Sequence, residues 1–382
     1  MKNTLFILEE PYVSEFLLST IEKLNVPVLK NKVSQNLKNK NLNLIEEKDI
    51  IKNSDGIKIY SNSENSIDWV IKNFPKSKTS ELIKICKDKY KFRKSINKIY
   101  PDFYFEKISL KDIDTKKNLP ERFIIKPAVG FLSMGVHKAE NKKDWENIKK
   151  ILKEEIKEFK NNFPESVLNS TEFIAEEIIE GEEYAIDAYF NQKGEPVILN
   201  IFQHPFVSTN DVSDRLYITS KEIIENNFNQ FENLLIKIGK TLEIKNFPIH
   251  IEMIKTKKGE IIPVEINPMR FAGWCTTDLA YFAYGINVYE SFYLNKKPNW
   301  EEILKTKKDE IYYFAMAETP QNIDKEKIKF NYEALKKEFS NILNFRKINY
   351  MEKPMFAVIF GETTQNSEIT KILKLNMKDF LQ

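Results

Sequence analysis

At 382 residues the chain is too long for one compact core and suits two or three packed units. It is 42% hydrophobic and 30% charged, and its 59 basic and 56 acidic residues are well mixed along the chain. The resulting net charge of +3 therefore gives no argument for nucleic acid or an anionic membrane as partner.

No stretch approaches the ~20 consecutive apolar residues of a membrane span, and the opening Met-Lys-Asn-Thr-Leu-Phe-Ile-Leu lacks the pattern of a secretory leader. Cys86 and Cys275 lie far apart without metal spacing, which fits a reducing cytoplasm. His137, His204 and His250 are unpaired in sequence, which argues against zinc. Arginine is scarce: Arg93, Arg122, Arg215, Arg270 and Arg346 stand among a large excess of lysines. An arginine that persists in such a composition points to a need for the planar fork, and this draws attention to Arg215 and Arg270.

In chain order, residues 4–8 and 26–29 read as buried strands around a helix over 14–24. A third strand follows at 57–60 and a short helix at 66–73, so residues 1–85 form a small α/β domain with a parallel sheet. No Gly-rich phosphate fingerprint appears there. Residues 81–100 read as one amphipathic helix, followed by a strand at 103–108. Arg122–Pro127 is a buried strand bearing Lys126, whose charge is costly to bury unless it meets an anion. Gly130 and Gly135 then bracket a turn before a return strand at 136–139, either a phosphate cradle or a plain hairpin.

A charged helix over 144–160 leads to strand, turn at Gly181, and strand, spanning 172–190. Glu176 and Glu177 end the first of these strands and Glu183 opens the second; solvated hairpin acids are the ordinary reading. A strand at 196–203 precedes a polar loop, His204–Ser220, long enough to suggest a lid, and then a helix at 223–242.

Residues 248–270 alternate apolar and polar on both sides of Lys-Lys-Gly, the pattern of a β-hairpin. An even-length loop centred on Lys258-Gly259 places Glu252 opposite Glu265, with Asn267 on the same face. Facing carboxylates repel unless a cation sits between them. Two carboxylates and an amide oxygen suit Mg²⁺ whose octahedron is completed by phosphates, while a solvated face is the alternative. Beyond a helical stretch ending near Asn295, the last 80 residues read as strand 311–317, helix 328–343 and strand 354–360, an α+β extension.

The ordered set of a Lys-bearing strand, a Gly loop, a double-Glu strand end, a polar loop with a base, and Glu252…Glu265-Ile-Asn267 resembles the ATP-grasp superfamily over about residues 85–290. The resemblance implies a mixed α/β and α+β chain: an N-terminal α/β domain (1–85), a two-lobed ATP-grasp domain (86–300) and a C-terminal α+β extension (301–382). The nucleotide lobe is then about 115–180 and the metal and substrate lobe about 181–300. It implies that Lys89, after Asp88, and Lys126 bind phosphates, and that Gly130–Gly135, with Ser133 and Met134, forms the phosphate lid. Glu176 is implied as the acceptor for the adenine amino group, with Glu177 beside it, and the backbone of Ile178 or Ile179 as the hinge to the ring. Glu183 is implied at the ribose and Arg215 at the γ-phosphate. His250 holds a slot more often filled by Arg. Glu252, Glu265 and Asn267 match the ligands of two Mg²⁺ ions, with Mn²⁺ as an alternative, and Arg270 would hold the acyl phosphate or a substrate carboxylate.

The implied reaction is ATP-dependent ligation of a carboxylate to an amine, through an acyl phosphate; a carboxylating or phosphoryl-transferring enzyme and a non-catalytic nucleotide-binding protein are the other readings. His204, Asp211, Ser213, Asp214, Arg270, Trp274, Cys275, Thr276, Thr277 and Asp278 are expected to border the acceptor pocket, a mix suited to an amino acid or small peptide. Core packing is the better reading for Trp274, and Cys275 reads as a small buried thiol rather than a nucleophile. A homodimer is left open.

Overall fold

The first strand, β1 (Thr4–Ile7), is buried on both faces, as its unbroken apolar run requires. It pairs in parallel with β2 (Pro27–Leu29) and β4 (Lys58–Ser61), and β3 (Asn43–Ile45) adds an edge, in the order β3-β2-β1-β4. β3 is too short for alternation to reveal it. A computed structural model describes residues 4–37, 40–52, 56–116, 118–130, 135–162, 171–206 and 215–382, the side chains of 156–162 excepted.

The helix expected over 81–100 is two helices, Lys78–Lys87 and Lys89–Ser95. Asp88 breaks them: its backbone is extended and its carboxylate accepts from the Lys91 amide at 3.0 Å, an N-cap in the middle of an apolar-periodic run. The second sheet is antiparallel, in the order β5-β8-β6-β7, from β5 (Phe105–Ser109), β6 (Phe123–Pro127), β7 (His137–Ala139) and β8 (Glu172–Glu176). The helix Lys142–Asn162 packs Trp145, Ile148 and Leu152 onto Phe123 and Phe173 of this sheet.

Strands β8 and β9 (Gly181–Phe190) do not form the hairpin expected around Gly181. They belong to different sheets, and residues 177–180 cross between them. The third sheet holds β9, β10 (Pro196–His204), β11 (Leu216–Ser220), β12 (Phe247–Thr256), β13 (Ile261–Pro268), β14 (Ile311–Glu318), β15 (Asn341–Lys347) and β16 (Met355–Thr363). Its order is β13-β12-β9-β10-β11-β14-β16-β15, so the C-terminal strands continue the sheet that carries the hairpin. Part of the helix expected at 328–343 is real, but it ends early: Tyr332–Lys336 is followed by edge strand β15, and Phe339 between them is buried against Tyr313.

The principal core runs from the first sheet into the third. Phe6 and Tyr60 meet Phe292, and Tyr60 also meets Phe271. Lys58 donates to the Phe292 carbonyl and to Asn295 Oδ1, capping the C-terminal end of the helix Val288–Leu294. The Ser61 amide donates to the Met269 carbonyl at 2.8 Å, fastening β4 to the end of β13.

The helix Lys221–Leu242 lies on this sheet through Gly239, where a Cβ would fall 2.4 Å from the ring of the fully buried Phe190. Alanine would gain up to about 1 kcal/mol of helix propensity. Overpacking costs about 1–3 kcal/mol and should win. Gly239→Ala is therefore expected to lower the chemical denaturation midpoint, and a raised midpoint would show that the helix–sheet spacing is wrong.

Candidate active site

Glu252 of β12 pairs with Glu265 of β13, and His250 with Asn267. The expected register holds, but for a different reason. The loop is odd: the Thr256 amide donates to the Glu260 carbonyl and the Gly259 amide to that of Thr256, enclosing Lys257-Lys258-Gly259 with Gly259 at φ +80°. Alone, this loop would set Glu252 opposite Val264. A bulge compensates, since Glu252 pairs with Glu265 while Met253 pairs with Pro263, and Val264 is the extra residue.

One carboxylate of the facing pair already has a cation. Lys89 Nζ lies 2.8 Å from Glu265 Oε2 and donates to the Gly130 carbonyl at 3.3 Å, while its amide donates to the Ala128 carbonyl. Burial would raise the Glu265 carboxyl, but Lys89, and Lys87 behind it, hold it below its ordinary value. Burial would lower Lys89, yet Glu265, Glu252 and Glu64 raise it. The break at Asp88 thus puts a lysine at the root of the Gly loop and onto the hairpin at once.

A second buried network lies behind it. Glu176, 2% exposed, accepts from Arg93 Nε at 2.8 Å and lies 2.7 Å from Lys126 Nζ. Arg93 also donates to the Pro263 carbonyl at 2.8 Å and sits over the Phe103 ring, while its buried Nη1 has no acceptor among the described residues. Burial would raise Glu176; Lys126 and then Arg93 outweigh it.

Residues 119–278 match the model of the ATP-grasp domain family. The chain carries an ATP-grasp domain. No curated protein matches the sequence. Among solved structures, the L-amino acid ligase from Bacillus licheniformis aligns with TM-score 0.68 at 16% identity, covering 100% of this chain and 98% of the other. N5-carboxyaminoimidazole ribonucleotide synthetase from Thermotoga maritima gives 0.65 at 16%, covering 100% and 99%. Biotin carboxylase from Campylobacter jejuni, in a β,γ-ATP complex, gives 0.64 at 14%, covering 97% and 89%. Identities this low speak to the fold.

Within the ATP-grasp domain, Glu176 meets one cation at each carboxylate oxygen, Arg93 at Oε1 and Lys126 at Oε2. Glu177 is tied to Tyr104, accepting from its amide at 3.2 Å and donating its own amide to its carbonyl. Ile178 and Ile179 are half-buried, and their backbones make no hydrogen bond within the described residues. Glu183 lies opposite His204 in the sheet, 3.2 Å from its Nδ1, and His204 stacks on Tyr217. That places His204 beside the residue expected at the ribose, away from the cluster that follows the hairpin. Gly130 is buried and Gly135 has φ +68°. Ser133, Met134, Asp211, Ser213 and Asp214 lie outside the described residues.

Arg215 is not directed at the hairpin. Its Nη1 donates to the Leu373 and Leu375 carbonyls at 3.1 and 3.4 Å, at the C-terminal end of the helix Asn366–Leu373, where the helix dipole favours a cation. Arg270 is at the site, bonded to Glu64 of the N-terminal unit at 3.3 Å and to the Phe271 carbonyl. Glu64 also takes Lys87 at 2.5 Å. His250 Nδ1 lies 2.9 Å from Asp187, a wholly buried carboxylate that also accepts from the Ala272 amide and the Thr277 hydroxyl. This fixes Nδ1 as the protonated nitrogen in the neutral ring and turns Nε2 toward Glu252, 3.8 Å away.

After the hairpin, Met269, Trp274 and Cys275 hold positive φ angles of 61°, 52° and 62°, a concentration of backbone strain typical of functional loops. Trp274 is half-buried and stacks on Tyr12; Cys275 is buried, which pushes its thiol up. Asp278 is wholly buried and bonded to Arg346 of β15 at 2.8 Å.

Sequence reasoning missed Glu64, Arg93, Asp187 and Arg346. Three had usable signals: arginine scarcity applied to Arg93 and Arg346 as much as to Arg215. Asp187 is the one charge in the apolar run Tyr184–Phe190, the same kind of feature that singled out Lys126. Glu64 carried no signal.

Among the described residues, no group of three or more His, Cys, Asp or Glu is arranged to hold a metal alone. Two carboxylates and the nearly buried Asn267 amide are hard oxygen donors too few to complete an octahedron, which fits an Mg²⁺ that arrives with phosphates.

Glu64 supplies a test of the charge network. Burial would raise its carboxyl, but Lys87 and then Arg270 outweigh it and hold it at about 2, below the ordinary 4.5. A depressed folded value contributes stability above the unfolded pKa that is lost as pH falls from about 4.5 toward 2. Melting curves from pH 7 to 2 should show a shallower acid loss for Glu64→Gln than for wild type; parallel curves would mean the pairs do not form.

Proposed function

We propose that the chain joins a carboxylate to an amine, with ATP as phosphoryl donor, releasing ADP and phosphate. The observation that carries this reading is Glu252 facing Glu265 beside Asn267, with Lys89 between the hairpin and the Gly loop. Glu252, Glu265 and Asn267 would hold two Mg²⁺ ions, or Mn²⁺, and Lys89 and Lys126 would meet the phosphates. The backbone of Ile178 and Ile179 would receive the adenine, and Glu183 the ribose. The bound metal supplies charge neutralisation and alignment of the phosphates.

A carboxylate oxygen attacks the γ-phosphorus, the bond to the β,γ-bridging oxygen breaks, and ADP leaves. The amine nitrogen then attacks the acyl carbon, the C–O bond to phosphate breaks, and the nitrogen loses a proton as the amide forms. Arg270, held by Glu64, would stabilise the acyl phosphate or hold the activated carboxylate. The L-amino acid ligase alignment supports this reading, and the mixed cations, hydroxyls and acids after the hairpin suit amino acids or small peptides.

The biotin carboxylase alignment keeps a second outcome in the assay, with bicarbonate as the activated group. Protein supplied with Mg-ATP and amino acids, singly and in pairs, should release ADP and form amide in a pair-dependent, bicarbonate-independent way. ADP release that requires bicarbonate and gives no amide would overturn the ligase reading. Glu265→Gln should lower ADP release by about 10²–10³-fold, a loss of the size seen when a group stabilising the transition-state charge is removed. It should stay folded, since Lys89 keeps the Gly130 carbonyl. Undiminished turnover in the folded variant would remove the hairpin from catalysis.

A further inference from the structure

Arg346 is the part of the post-hairpin cluster that the reading above leaves unused. Its Nη1 is locked on Asp278 Oδ2 at 2.8 Å, its Nε donates to Asn344 Oδ1 at 3.1 Å, and its guanidinium sits over the Phe360 ring. Asp278 is fixed in turn, accepting from the Tyr289 hydroxyl at 3.1 Å. The Arg346 side chain is 16% exposed, and besides Asp278 and Asn344 it has a hydrogen bond with the Cys275 thiol. Cys275 lies beside it, next to Trp274 on Tyr12. Three remote stretches of chain, at residues 12, 274–278 and 346, thus build one wall of rings around a rigid guanidinium.

The cluster is joined to the hairpin by contiguous contacts. His250, two residues before Glu252, meets Asp187, which holds the Thr277 hydroxyl, and Asp278 follows. Arg93 is committed to Glu176, Arg122 to Glu140 and Glu180, and Arg215 to helix-end carbonyls, while Arg270 is already assigned to the activated carboxylate.

Resting on the ligase reading, we infer that Arg346 holds the free carboxylate of the amine substrate, making that substrate an amino acid or peptide acid. Such an acceptor carries two reactive ends. Its carboxylate competes for the γ-phosphate unless a cation secures it away from the metal hairpin, leaving the amino group to attack. A guanidinium pre-aimed by a buried aspartate does this with little loss of freedom on binding. The aromatic wall of Tyr12 and Trp274 would lie along the acceptor side chain.

The test compares each acceptor acid with its C-terminal amide, using pairs of the common L-amino acids, Mg-ATP and mass detection of the product. Wild type is expected to use the acid and discriminate against the amide. Arg346→Met combined with Asp278→Asn removes both charges without orphaning either. It should raise the acid's KM roughly 10- to 100-fold, as loss of a charged hydrogen bond does, and abolish the acid–amide difference. The KM for ATP should not move. Arg346→Lys should fall between, and it decides the matter alone if melting shows the double variant unfolded.

A role confined to neutralising Asp278 would leave acid–amide discrimination intact in the folded variants, and that result overturns the inference. Equal use of acid and amide by wild type overturns it too. Wild type that makes no amide with any pair instead removes the ligase reading, and the inference with it.

Discussion

Two carboxylates held face to face on one edge of a sheet are unfavourable without a cation, and the site is built around that constraint. The chain reaches the juxtaposition with a bulge at Val264 that corrects an odd hairpin loop. It then relieves half of the repulsion with Lys89, delivered by the helix break at Asp88 and fastened to Ala128 and Gly130. An ammonium neutralises one charge; a divalent ion held by Glu252, Glu265 and Asn267 would supply the further neutralisation that phosphates need. The same lysine therefore stabilises the paired carboxylates and would meet the phosphates that replace its partner.

The remaining buried charges tie the sheets together. Arg93 joins the helix Lys89–Ser95 to β8 through Glu176 and to β13 through the Pro263 carbonyl. Glu64 ties the N-terminal unit to Arg270, and Arg346 ties the C-terminal strands to Asp278. Each pair bears a desolvation cost that hydrophobic packing alone would avoid, and removing one partner strands the other in a poor solvent. What these pairs add is position. Side chains from the first and last parts of the chain reach the segment beyond the hairpin, Glu64 from the N-terminal unit and Arg346 from the C-terminal strands.

Most of this was legible in sequence where a local rule governs. Lys126 stood out as a charge in an apolar strand, the alternation around Lys258-Gly259 gave the hairpin, and the order of parts gave the ATP-grasp family. The register came out right although the loop was misread, because burial fixes which residues face inward and the bulge adjusts to it. What sequence hid is what only tertiary contact decides. Arg215 lies in the expected loop yet turns to a helix end, and the acids at 176–183 are split between two sheets. Periodicity ran one helix through Asp88, while the resemblance set that residue at a helix start, where its carboxylate is the cap. Arg346 lies 68 residues beyond Asp278, and nothing along the chain announces their meeting.

The central claim is that the paired carboxylates serve to place a phosphate on a substrate carboxylate. The most direct measurement follows the oxygen. Amino acids carrying ¹⁸O in their carboxylates, incubated with the protein and Mg-ATP, should transfer one labelled oxygen to the inorganic phosphate for each ADP formed, read by mass or by the ³¹P isotope shift. Phosphate that stays unlabelled while ADP accumulates would contradict the account, because the γ-phosphoryl group would then have gone to water or to another acceptor.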